Sequence, residues 1–174
     1  MTTEQNGSPA DAVVGPRSGG VSEQMQLVTF ELAGECFAAD IHAVRGIHRL
    51  IELTRVPKSP AEIAGVINLR GKILPVVNMR RVLGFPQVEW GVQTRIVVFE
   101  SGGRETGFIV DRVHEVLRID AGEIDPGPEM PGTLDADFIR GIAGLEERLL
   151  IVLDLERLFG RLNPAGLELS STAA

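Results

Sequence analysis

The chain has 174 residues, a mass of 18.8 kDa, a formal net charge of -7 and a pI near 5.0. That balance argues against a broad nucleic-acid or anionic-membrane footprint, and the longest apolar run, Leu149 to Leu153, is far short of the ~20 residues of a membrane helix. At 44% hydrophobic there is material for a core, but one cysteine, three histidines and no tyrosine exclude a disulfide framework and leave few catalytic side chains.

Residues 1–24 contain Gly7, Pro9, Gly15, Pro16, Gly19 and Gly20 and no aromatic. They lack the apolar area to offset ordering entropy, so a disordered tail is expected, with no signal peptide in it. The folded part is expected over 25–162, as two halves of about 25–90 and 91–162, with a flexible tail at 163–174. Strands come first. Val28, Phe30 and Leu32 alternate with Thr29 and Glu31, and Ala33-Gly34 makes a turn. Cys36, at the start of the next strand, reads as a small core residue, because no histidine is near it in sequence. His42 and His48 read as surface or half-buried residues. Ser59-Pro60-Ala61-Glu62 has the form of a capping box and predicts a short helix. After the turn at Arg70-Gly71, Ile73 to Val77 reads as a strand, and Pro75 predicts that it is an edge or a bulge. Asn78 to Gly84 is a second short helix with an N-cap and a glycine stop.

Ile96 to Phe99 and Phe108 to Val110 are further strands around a Ser101-Gly102-Gly103 turn. His114-Glu115 begins like a zinc-protease helix but has Arg118 where the second imidazole belongs, and its alternation is that of a strand. Gly65 to Lys72 misses the phosphate-loop spacing, with Ile73 where a hydroxyl would hold magnesium. Asp120, Glu123, Asp125, Glu129, Asp135 and Asp137 form an acidic, proline-stiffened stretch without calcium-loop spacing. It reads as a solvated loop or a partner-facing surface. Asp154 to Gly160 is a last short helix of the same capped form. Many short strands and few helices predict small barrels or a sandwich.

The chain repeats itself. Residues 62–84 over 138–160 share Ile63/Ile139, Gly65/Gly141, Leu69/Leu145, Leu74/Leu150, Val76/Val152, Arg81/Arg157 and Gly84/Gly160. Residues 27–50 over 96–119 share Phe30/Phe99, Glu31/Glu100, Gly34/Gly103 and Val44/Val113 among others. The core is therefore a duplicated unit, joined near residues 86–94. Where the copies differ, the first offers Asn68-Leu69-Arg70-Gly71-Lys72, which presents Arg70 as a planar donor at a hairpin tip.

Gly65-Val66-Ile67-Asn68-Leu69-Arg70-Gly71-Lys72-Ile73-Leu74-Pro75-Val76-Val77 resembles the signature of the CheW family of bacterial chemotaxis coupling proteins, and Gly107 to Leu117 is similar to its other marker. The resemblance runs from Gln26 to Phe159. It implies an all-β fold of two packed SH3-like five-stranded barrels with a few short helices. It also implies no catalysis, no metal and no cofactor. The implied partners are the regulatory domain of a CheA-type histidine kinase, the cytoplasmic tips of chemoreceptors and other CheW-like chains in rings, at membrane-associated arrays in the cytoplasm. Carried over by position, Val44, Ile47, Val113 and Val116 would line a receptor groove, with Gly65 and Arg70 close by. Glu129 and Met130 would make a kinase or ring contact. The family often has a glutamate where Gly46 stands, a departure that bears on receptor choice. An adaptor of a pilus or gliding pathway is the alternative within the class. An oligonucleotide-binding barrel, the alternative outside it, calls for interleaved aromatic and basic residues that are scarce here.

Overall fold

The computed structural model describes residues 23–126 and 138–162. Glu129, Met130, residues 1–22 of the expected N-terminal tail and all of 163–174 lie outside the described residues. Eleven strands follow in order: β1 (Gln24–Leu32), β2 (Glu35–Asp40), β3 (Val44–Arg49), β4 (Ile63–Leu69), β5 (Lys72–Asn78), β6 (Arg95–Ser101), β7 (Arg104–Val110), β8 (Arg112–Asp120), β9 (Ile124–Asp125), β10 (Ile139–Leu145) and β11 (Arg148–Leu153). Helix α1 (Met79–Leu83) follows β5, and α2 (Leu155–Arg161) follows β11. Hairpins β1–β2, β4–β5 and β6–β7 turn on residue pairs with positive φ: Ala33-Gly34, Arg70-Gly71 and Gly102-Gly103. Such turns match the right-handed twist of the paired strands.

The strands form two sheets, ordered β8-β1-β2-β11-β10-β9 and β3-β6-β7-β5-β4. Neither sheet is one contiguous half of the chain. β1 and β2 of the first half sit between β8 and β11 of the second, and β6 and β7 of the second sit between β3 and β5 of the first. The two halves, about 25–90 and 91–162, are therefore not one barrel each: every barrel draws strands from both. The repeat is real, but its copies exchange their first two strands. The exchange is symmetrical: β5 meets β7 in parallel at Val76 and Gly107, and β11 meets β2 in parallel at Val152 and Ala38.

The core follows from the exchange. Each barrel has a small interior of its own. Leu27, Ala38, Ile119, Ala143, Leu150 and Val152 fill one; Ile67, Leu74, Val76, Ile96, Val98 and Ile109 fill the other. The largest cluster lies between the barrels, and all seven phenylalanines belong to it or pack against it. Their rings form a chain, from Phe85 through Phe37, Phe30, Phe99 and Phe108 to Phe159, with centroids 5.6 to 6.5 Å apart. Leu27, Val28, Thr29 and Phe30 are all buried, since β1 faces its own barrel on one side and the joint on the other.

Three local expectations change. Ser59-Pro60-Ala61-Glu62 makes a turn and not a helix: the Ser59 hydroxyl donates back to the Val56 carbonyl (2.8 Å), and the chain enters β4 at Ile63. Pro75 lies on an inner strand. Val66, its neighbour across β4, turns its N–H and carbonyl towards Thr54, and the β5–β7 register starts only at Val76. No partner therefore asks for the N–H that proline lacks. Helix α1 matches its reading, capped by Asn78 and closed by Gly84 at φ +83°. Helix α2 starts on the Asp154 cap but runs through Gly160 to Arg161, with Leu162 as its C-cap.

Candidate functional site

β3 and β8 are equivalent strands of the repeat, and each is the outer edge of its sheet. Residues three apart in a regular strand point to opposite faces. Here a one-residue bulge intervenes in each. Val44 pairs with Phe99 and Ile47 with Val97, which are two apart on β6. Val113 pairs with Phe30 and Val116 with Val28, which are two apart on β1. The bulge thus brings Val44 and Ile47 to one face, and Val113 and Val116 to its counterpart. The partner residues Val28, Phe30, Val97 and Phe99 are all in the joint core. Val44 and Val113 are half-buried against that core, while Ile47 and Val116 are 43% and 49% exposed. The apolar joint therefore surfaces along two related edges.

Each edge carries one polar side-chain pair at the same place in the repeat. Arg45 meets Glu100 at 2.5 Å, and His114 meets Glu31 at 3.1 Å. The β8 bulge is pinned by buried Thr29, whose hydroxyl donates to the Glu115 carbonyl (2.7 Å) and accepts its N–H (3.1 Å). Gly46 stands where the second copy has Glu115. A Cβ built there would meet only the His48 ring, at 2.8 Å.

Gly65 and Arg70 belong to β4 and its hairpin, at the other end of the order β3-β6-β7-β5-β4. Gly65 is buried under the chain leaving β3: a Cβ would stand 2.7 Å from the Thr54 carbonyl oxygen. Gly141 has the same role beneath Asp125. These glycines let each barrel close. Arg70 is exposed at the hairpin tip with φ +54°, its turn held by Asn68 Oδ1, which accepts the Gly71 N–H at 2.8 Å. Among the described residues its guanidinium has no ion-pair partner. Positive φ here comes with the turn, for Glu146 at the equivalent tip has φ +47°.

Sequence reasoning missed one pair. Arg80 of α1 grips Asp111 with two nitrogens, Nε to Oδ1 at 3.0 Å and Nη2 to Oδ2 at 2.6 Å. Burial alone would raise the Asp111 carboxyl, but bonds from Arg80 and the Ala33 N–H, with the Arg80 charge, hold it below its ordinary value. Asp111 lies within the second marker segment, yet nothing local in sequence tied it to Arg80. Burial pushes the Cys36 thiol up, with Arg148 opposing, so it stays protonated at neutral pH. Among the described residues no three His, Cys, Asp or Glu side chains could hold a metal ion together. Nor is any helix among them long and apolar enough to cross a membrane.

Residues 26–163 match the family model of the CheW-like domain. The chain is 35% identical over 133 residues to a chemotaxis protein CheW of Klebsiella aerogenes, covering 76% of this chain and 80% of that one. It is 33% identical over 134 residues to a chemotaxis protein CheW of Rhizobium meliloti, covering 77% and 86%. The crystal structure of the scaffolding protein TtCheW from Thermoanaerobacter tengcongensis superposes with a TM-score of 0.74 at 36% identity, covering 79% of this chain and 93% of that one.

Proposed function

The chain belongs to the CheW-like family and is a chemotaxis coupling adaptor; from that premise we propose that it joins chemoreceptor tips to a CheA-type histidine kinase without catalysing a reaction. The receptor's helical tip docks on the apolar face of β3 and β8, made by Val44, Ile47, Val113 and Val116. Arg70 supplies a bidentate donor for a carboxylate on one of the partners. Glu129 and Met130 contribute to the contact with the kinase's regulatory domain or with a neighbouring CheW-like chain. Gly65 acts indirectly, by keeping the β4 hairpin seated. The protein works in the cytoplasm, recruited to receptor arrays.

The observation that supports this reading is the pairing of the four apolar residues under the repeat. Val44 corresponds to Val113 and Ile47 to Val116, and both pairs border one aromatic joint. A half-exposed apolar strip flanked by polar side-chain pairs suits an amphipathic helical ligand. Single contacts of this size hold with micromolar affinity, roughly -8 kcal/mol, and an array multiplies them by avidity. Arg70→Glu tests the polar part. Pull-down by a receptor fragment or by the kinase's regulatory domain should fall sharply while the melting temperature holds. Retention of both partners would remove Arg70 from the site.

A further inference from the structure

We propose that Arg80 and Asp111 form a latch that sets the angle between the two barrels, which makes them positioning residues for the partner-binding face. Asp111 is the single residue between β7 and β8, where the chain crosses from the five-stranded to the six-stranded sheet. Its backbone N–H donates to the Glu31 carbonyl on β1 (3.0 Å), and its Oδ2 accepts the Ala33 N–H from the β1–β2 turn (2.9 Å). On that side it is fixed to the six-stranded sheet. Arg80, on the helix that follows β5, belongs to the other barrel. It closes the bridge through two nitrogens, and its third, Nη1, donates to the Pro86 carbonyl in the segment joining the halves (2.6 Å). The Arg80 side chain is only 11% exposed. A planar fork with three donors engaged fixes orientation as well as distance, which a lysine ammonium does not.

The repeat supplies an internal control. The equivalent crossing, from β2 to β3, has His42 where Asp111 stands, and Glu156 occupies the position of Arg80. The His42 N–H (2.9 Å) and ring Nδ1 (3.0 Å) bond to Asp40, two residues away, and its carbonyl accepts from Arg45 Nη1, three residues on (3.2 Å). One crossing is tied to the opposite barrel by an ion pair and the other is not. The tied one leads straight to the candidate site. Glu31, which accepts the Asp111 N–H on its carbonyl, carries the carboxylate that holds His114 beside Val113. Loosening the latch therefore moves β8 relative to β3, and the apolar face changes shape.

The consequence for receptor binding rests on the function proposed above; the barrel angle does not, so the two are measured separately. In the full chain with Cys36→Ser, nitroxide labels at Glu52→Cys on one barrel and Glu123→Cys on the other report the distance between barrels. Asp111→Asn should shift or widen that distribution and weaken a receptor-tip fragment about tenfold. Arg80→Lys, which keeps the charge and loses the fork, should do the same to a smaller extent. It carries the test if Asp111→Asn does not fold. Arg157→Ala, which removes an exposed pair to Asp154 on α2, should leave both readouts unchanged. An unaltered distribution in both folded latch variants overturns the proposal. A widened distribution with unaltered affinity upholds the latch and overturns the groove reading.

Discussion

Phe30 of β1 and Phe99 of β6 occupy the same position in the repeated unit, and their rings meet at 6.5 Å across the joint between the barrels. Each has an edge-strand valine beside it, Val113 for Phe30 and Val44 for Phe99. The joint and the candidate binding face are thus two margins of one apolar body. Removing either ring should be felt in both barrels at once. Phe99→Ala should cost roughly 3–5 kcal/mol, and unfolding should stay a single transition. Urea denaturation followed by circular dichroism and by Trp90 fluorescence checks this. Two separate transitions would contradict it.

The strand exchange has a direct consequence for fragments. Residues 23–90 hold β1 to β5, which are parts of two different sheets, and 91–162 hold the complementary parts. Neither fragment can complete a sheet alone, and both leave long strand edges open. Each should be largely unstructured by circular dichroism when purified alone. Mixed in equal amounts, they should recover native ellipticity. A fragment with a cooperative melt of its own would count against the exchange.

Two glycines that look alike in sequence should respond differently to a side chain. At Gly65 a Cβ meets the Thr54 backbone at 2.7 Å, which cannot swing away. At Gly46 it meets the end of the His48 side chain, which can. Gly65→Ala should destabilise by roughly 1–3 kcal/mol, and Gly46→Ala by less than about 1 kcal/mol. Thermal melts of the two variants side by side make the comparison.

The Asp111 carboxyl also fixes the sign of a pH effect. It is held below its ordinary value despite burial, by the bonds from Arg80 and Ala33 and by the Arg80 charge. Its stabilising share is therefore fully present above the unfolded-chain value of about 3.9. It is lost as the pH falls through the lower folded value. Asp111→Asn should be less stable than the parent at pH 7, and the gap should narrow below about pH 4. Denaturant midpoints at pH 7 and pH 3 decide it. A gap that stays constant with pH would assign the effect to packing and not to charge.

What could be read from the sequence was local or repeated. Asn78 and Asp154 cap helices by contacts two or three residues away, and Gly34, Gly71 and Gly103 mark hairpins through their own φ. The duplication was readable because Ile63/Ile139 and Phe30/Phe99 recur at fixed offsets. The exchange was not, because β1 has the same alternation whichever copy's strands flank it. The Ser59-Pro60 capping box carries the right letters, but the turn is absorbed by entry into β4. Alternation alone would send Val44 and Ile47 to opposite faces; only the bulge, a long-range feature of pairing with β6, brings them together. Arg80 and Asp111 differ from their counterparts in the repeat, so neither period nor identity marked them.

The proposed receptor contact along the two apolar edges, β3 and β8, has two exposed members that allow a clean test. Ile47 and Val116 are 43% and 49% exposed, so a charge placed on either should leave the fold standing. The most direct measurement is calorimetric titration of a receptor-tip fragment into the full chain, the single variants Ile47→Asp and Val116→Asp, and the double variant. Each single variant should weaken binding about tenfold or more, and the double should abolish it at micromolar concentrations, with melting temperatures near the parent's. Parental affinity in the folded double variant would show that the receptor docks elsewhere.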